Sequence, residues 1–124
     1  ILAVGAHPDD VEIGVGGILL MHKKAGDRIV VLALSDGEHG GDADERMEEF
    51  AKAMHEMGAI GVRGMMPDTL IPDDGETVRL IRKVVSYFKP TIVYTHTNAD
   101  AHQDHRAAHR ATYIATRDVS EVYA

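Results

Sequence analysis

Two stretches of the chain carry the residue types that hold metal ions and move protons. The first is His7-Pro8-Asp9-Asp10. The second runs His96-Thr97-Asn98-Ala99-Asp100-Ala101-His102-Gln103-Asp104-His105, with His109 one helical turn further on. Two imidazoles and one carboxylate suffice for a catalytic zinc, which keeps a fourth position open for water. The chain has no cysteine, so a disulfide framework and a thiolate zinc site are both excluded. Each stretch also has a plainer reading. Asp9 or Asp10 can cap a helix, His7 can be a hydrogen-bonded loop histidine, and a histidine-rich loop can be a proton switch or a solvated surface. The chemistry needs both stretches in one place, so the fold must join segments that lie far apart in the sequence.

The apolar pattern supplies such a fold. Ile1 to Ala6 reads as a buried strand, and Val11 to Lys24 as a helix with Val11, Val15, Ile18, Leu19 and Met21 at helical spacing, stopped by Gly26-Asp27. A second strand follows over Arg28 to Leu34, then a loop and a helix from about Glu45 to Met57 that Gly58 caps. A weak strand near Ile60 to Arg63, a Pro- and Asp-containing loop and a helix over Glu76 to Lys89 come next. Thr91 to Thr95 is a β-branched strand, about Asp104 to Arg117 a fourth helix, and Val119 to Tyr123 is again strand-like. This alternation predicts an α/β, Rossmann-like three-layer sandwich with a mostly parallel sheet and right-handed crossovers. Ligands bind such sheets at the carboxyl ends of the strands, where the strand order reverses. His7 follows strand one and His96 follows strand four, so the two stretches meet if those strands are neighbours.

Length and charge narrow the function classes. A chain of 124 residues with 44% hydrophobic content suits one domain over residues 1–124. The formal charge of -7 and the absence of a basic run argue against a nucleic-acid partner. The longest apolar runs are too short to span a bilayer. A cytoplasmic location is expected, with a small molecule as partner and homo-oligomer formation through an exposed sheet edge.

Gly14-Val15-Gly16-Gly17 after a first strand invites a dinucleotide-binding reading, but Leu19 stands where the third glycine of that fingerprint belongs. Glycines inside a helix cost about 1 kcal/mol each against Ala, so a close backbone approach is expected there.

The motifs Ala6-His7-Pro8-Asp9-Asp10-Val11-Glu12 and His102-Gln103-Asp104-His105, in that order, resemble the PIG-L/LmbE-like superfamily of metal-dependent N-acetylglucosaminyl deacetylases. Ser35-Asp36-Gly37-Glu38, Arg46 with Glu49, and Pro67-Asp68 extend the resemblance over the whole chain. Family members are longer, so the resemblance implies a sandwich that is incomplete at its C-terminus. It further implies removal of an acetyl group from an N-acetylglucosamine-type sugar or conjugate. Zn2+, or another divalent metal such as Fe2+, would sit on His7, Asp10 and His105, with Asp9 as general base. His102 would stabilise the oxyanion or donate a proton, and Asp104 would orient His102 and keep it charged. Arg46 and Asp68 would contact substrate, although Arg46 can equally pair with Glu49 on its own helix. His109 is read as structural, and His22, His39 and His55 as surface residues. Two alternatives stand beside this reading. One is a non-haem iron oxygenase using His7-x-Asp9 and a distant His as a facial triad. The other is a non-catalytic sugar- or metal-binding module.

Overall fold

A computed structural model describes residues 1–124 as a five-stranded sheet between two helical layers. The strands are β1 (Leu2–Gly5), β2 (Val30–Ser35), β3 (Ile60–Met66), β4 (Ile92–Tyr94) and β5 (Glu121–Tyr123). The helices are α1 (Asp10–Ala25), α2 (Ala43–Met57), α3 (Gly75–Phe88) and α4 (Gln103–Ala115). The order across the sheet is β3-β2-β1-β4-β5, with every pairing parallel. Leu2 pairs with Val30 on one side and Val93 on the other, so β1 and β4 are neighbours and the strand order reverses between them. The switch point therefore lies where the sequence places it.

Alternation along β1 and β2 builds the two cores. Leu2, Val4, Val30, Leu32 and Leu34 face α3 and α4, where they meet Ile81, Val84, Val85 and the alanines 107, 108, 111 and 115. Ala3, Val31 and Ala33 point the other way, onto Val11 and Leu19 of α1 and Met47, Phe50 and Met54 of α2. Each fully buried aliphatic side chain contributes about 1.5–3 kcal/mol. These opposed faces leave the strand ends as the place where polar groups can gather.

Several boundaries differ from the sequence reading for local reasons. Asp42 accepts from the amides of Asp44 and Glu45, so α2 begins two residues earlier than expected. β3 runs on to Met66 as a mostly exposed edge strand, which explains its weak apolar signal. Val119–Tyr123 contracts to β5, a short strand whose Tyr94–Tyr123 pairing puts it beside β4. In α1 only Val11, Gly16 and Leu19 are buried, while Ile18 and Met21 of the supposed apolar stripe are exposed. The glycine expectation fails as well. A Cβ built at Gly14 or Gly17 meets nothing within 4 Å, so no close approach demands glycine there. Gly5 is different: its Cβ would lie 3.1 Å from the Asp10 Cβ, and its bareness lets the turn after β1 fold back on the strand. No helix is long and apolar enough to cross a membrane.

Candidate metal centre and active site

β1 delivers His7 to the rim and α1 starts at Asp10, so the turn between them must be tight. Asp9 makes the turn with a left-handed backbone, φ 86 and ψ -28, a conformation that Asp tolerates better than most residues. Although Asp9 is the N-cap residue of α1, its side chain makes no capping bond. The capping explanation of this residue is therefore removed. Its carboxylate is 58% exposed and lies 3.5 Å from Arg46. Asp10 turns the opposite way and accepts from the His7 amide at 2.8 Å.

Three imidazoles converge on Asp10. His7 Nδ1 is 3.3 Å from its Oδ2, His105 Nε2 is 3.3 Å from its Oδ1, and His96 Nε2 is 3.2 Å from its Oδ2. His7, Asp10 and His105 each offer one ligand atom, all within 4.8 Å of one another. Two atoms bound to one tetrahedral zinc at about 2.05 Å are separated by about 3.3 Å, so the spacing suits a shared cation. The wiring behind the rings suits it too. His7 Nε2 points away from Asp10 onto Asp104 Oδ2 at 3.2 Å and Asp68 Oδ1 at 3.0 Å. His105 Nδ1 points away onto Asp100 Oδ2 at 3.0 Å. A carboxylate that takes the far N–H of an imidazole fixes its tautomer and presents the near nitrogen's lone pair. Both rings are held in that sense toward Asp10, so the residues present fit a divalent ion.

Electrostatics agrees. Burial disfavours a charged His7, but Asp10, Asp104 and Asp68 more than offset it and raise its pKa to about 9. Burial likewise disfavours the Asp10 carboxylate, yet His7 and His96 hold its pKa far below the ordinary range. At neutral pH the His7 ring is thus protonated against these carboxylates, and a divalent ion on Nδ1 would take the place of that proton.

The structure corrects the expected role of Asp104. Its carboxylate, 1% exposed, accepts from the Ile71 amide and contacts His7, not His102. His102 is instead the N-cap of α4, and its Nδ1 accepts from the Asp104 backbone N–H at 3.2 Å. With Nδ1 occupied as an acceptor, Nε2 carries the ring proton. His102 lies with its ring centroid 4.9 Å from that of His7 and 4.6 Å from that of His105.

A cavity of about 270 Å³ opens beside His7 and His102, lined by nine residues of which none is hydrophobic, among them also Asp9, Arg46 and Asp68. Arg46 and Asp68 thus both reach it, but each is also committed within the protein. Arg46 donates to the Pro8 carbonyl at 3.0 Å and pairs with Asp9, with no ion pair to Glu49. Gly37, at φ +69, leaves space for it, since a Cβ there would lie 2.6 Å from Arg46 Nε. Asp68 bonds the His39 amide as well as His7. His39 stands exposed on the cavity wall. His22 is half-buried between Asp27 and Tyr94, a correction to its reading as a plain surface residue, and His55 is exposed. His109 is structural, its Nδ1 bonded to the His96 carbonyl. Sequence reasoning assigned no role to His96 or Asp100. Only their place in the histidine-rich stretch could have marked them.

The facial-triad alternative fails on geometry, because Asp9 belongs to no cluster with His7 and His105 whereas Asp10 does. Residues 2–116 match the family profile described as PIG-L, GlcNAc-PI de-N-acetylase. The chain belongs to the PIG-L family. It is 29% identical over 143 residues to the uncharacterized deacetylase YaiS of Escherichia coli K12, across 98% of this chain and 70% of that protein. The conserved protein TT1542 from Thermus thermophilus superposes with a TM-score of 0.92 at 29% identity, over 98% of this chain and 64% of that one. The 4-carboxy-2-hydroxymuconate hydratase GalB from Pseudomonas putida KT2440 gives 0.86 at 27% identity, over 94% and 55%. The chain thus spans between about half and seven tenths of the length of these relatives.

Proposed function

We propose that this PIG-L chain is a metal-dependent amide hydrolase that removes the acetyl group from an N-acetylglucosamine-type sugar or its conjugate. The observation that carries the reading is the wiring of His7 by Asp104 and of His105 by Asp100, which turns two imidazole lone pairs toward one carboxylate. Family membership supports acetyl removal, and the wholly polar cavity suits a hydroxyl-rich ring. Zn2+ is the ion favoured by such a set of two histidines and one carboxylate, with Fe2+ as the other divalent choice.

His7, Asp10 and His105 would hold a divalent ion, which would supply Lewis acidity and make water a stronger acid at the site. Asp9, free of any capping bond and facing the cavity, takes a proton from the attacking water. Arg46 braces the Pro8 carbonyl and the Asp9 carboxylate, which keeps that base over the cavity. His102 directs its Nε2–H toward the amide oxygen as charge develops there, an interaction worth about 3–4 kcal/mol per donor. The C–N bond then breaks, acetate leaves, and the amine takes the proton that Asp9 received.

The test is acetate release from N-acetylglucosamine, its glycosides and its phosphorylated conjugates, with and without a chelator. Metal-dependent acetate release supports the reading. Turnover of a 2-hydroxymuconate by water addition, with no acetate from any acetamido sugar, would place the chain with the hydratase instead.

A further inference from the structure

Asp100 is not among the ligands, yet it is bonded to both histidines of the α4 start that face the site. Its Oδ2 is 3.0 Å from His105 Nδ1, and its Oδ1 accepts from the His102 amide at 2.8 Å. Arg106 Nη1 holds the Asp100 carbonyl at 2.7 Å and the Ala101 carbonyl at 2.6 Å, so the turn carrying the carboxylate is itself pinned. We infer that Asp100 is a positioning residue that sets the tautomer of His105, and thereby decides whether this imidazole can act as a ligand.

The argument is one of donors and acceptors. A carboxylate accepts at both oxygens, and the His102 amide can only donate. His105 Nδ1 must therefore donate as well, and in the neutral ring this leaves Nε2 without a proton, 3.3 Å from Asp10 Oδ1. The ring also stacks on His96, with centroids 4.0 Å apart and planes at 15°, while His96 Nε2 is occupied by the Ala6 amide. His96 thus packs the ring in place, and of the two carboxylates that flank the ring Asp100 is the closer and makes the hydrogen bond, so it draws the proton to Nδ1.

An amide at position 100 cannot do this. In Asp100→Asn the side chain has one acceptor and one donor group. With its oxygen on the His102 amide, its NH2 meets His105 Nδ1, which must then accept, and the proton moves to Nε2 facing Asp10. With the amide reversed, NH2 opposes the His102 N–H and the bond at the start of α4 is lost. Asp100→Ala removes the preference without imposing the wrong one. The near-isosteric variant is therefore the more damaging, as is known when Asn replaces the carboxylate behind a catalytic histidine.

This inference rests on His105 being a ligand, as in the proposed function, and the experiment separates the two. Zinc affinity is measured by chelator competition in the full chain and in the Asp100→Ala, Asp100→Asn, Asp100→Glu and His105→Ala variants, with circular dichroism to establish folding. Loss of about 10-fold in Asp100→Ala and about 100-fold in Asp100→Asn is expected, with partial recovery in Asp100→Glu, in the range for residues behind a ligand. In ion-free protein, ring 15N shifts of the neutral form should report His105 with its proton on Nδ1, and on Nε2 in Asp100→Asn. Wild-type affinity or an unmoved tautomer in Asp100→Asn, while His105→Ala loses zinc, overturns the role of Asp100 alone. Retention of zinc by His105→Ala overturns the ligand assignment itself.

Discussion

Stripped of divalent ions, the protein should lose stability as pH rises from about 6.5 to about 9, and His7 should be the cause. The pKa of His7 in the fold is about 9 against 6.5 for the free side chain. Burial works against that rise, but the carboxylates of Asp10, Asp104 and Asp68 outweigh it. A group with a raised folded pKa contributes stability that is complete below the unfolded value and disappears as pH passes the folded one. At about 1.36 kcal/mol per pKa unit the contribution is about 3–4 kcal/mol as an upper value. In a domain of this size that corresponds to a fall in Tm of roughly 10 °C. The assay is urea unfolding in EDTA between pH 6 and 10, on the wild type and His7→Gln, with the His7 Cε1–H resonance followed by NMR. The wild type should weaken across this window while His7→Gln stays nearly level. A His7 titration below pH 7, or a wild-type stability that is flat across the window, refutes the reasoning.

Other expectations follow from the same geometry. Asp9→Asn should keep its zinc and lose turnover by roughly 10²- to 10⁴-fold, the range for a general base, as acetate release and metal content would record. Asp104→Asn should weaken zinc binding by roughly 10- to 100-fold through His7, and the His102 ring should keep its Nε2 proton because a backbone amide holds Nδ1; isothermal titration and ring 15N shifts check both. Gly17→Ala, on an exposed position with nothing near the added carbon, should stabilise the fold by about 1 kcal/mol in urea unfolding.

The topology was legible because β1, β2 and β4 read as short apolar or β-branched runs, and because helical segments stopped by Gly26, Gly58 and Pro90 alternate with the strands. Neighbouring β1 and β4 then brought His7 and Asp10 to His105. What the residues alone did not reveal depends on directions that no spacing encodes. Whether Asp9 or Asp10 faces the rings is decided by a left-handed backbone at Asp9 and by the His7 amide that Asp10 accepts. Asp104 follows His102 by two residues, yet its side chain leaves the start of α4 toward His7, and only its N–H meets the His102 ring. Asp100 became visible because a loop carbonyl pinned by Arg106 aims its carboxylate at His105. The glycines of α1 gave a false signal, since no contact offsets their cost to the helix at Gly14 and Gly17.

The central claim is that His7, Asp10 and His105 together hold one catalytic divalent ion. Crystals grown with zinc, with diffraction recorded on both sides of the zinc absorption edge, test it most directly. The account predicts a single dominant anomalous peak bonded to His7 Nδ1, an Asp10 oxygen and His105 Nε2, with Asp9 beside it but unbound. A dominant peak coordinated by Asp9, or one away from His105, would contradict it.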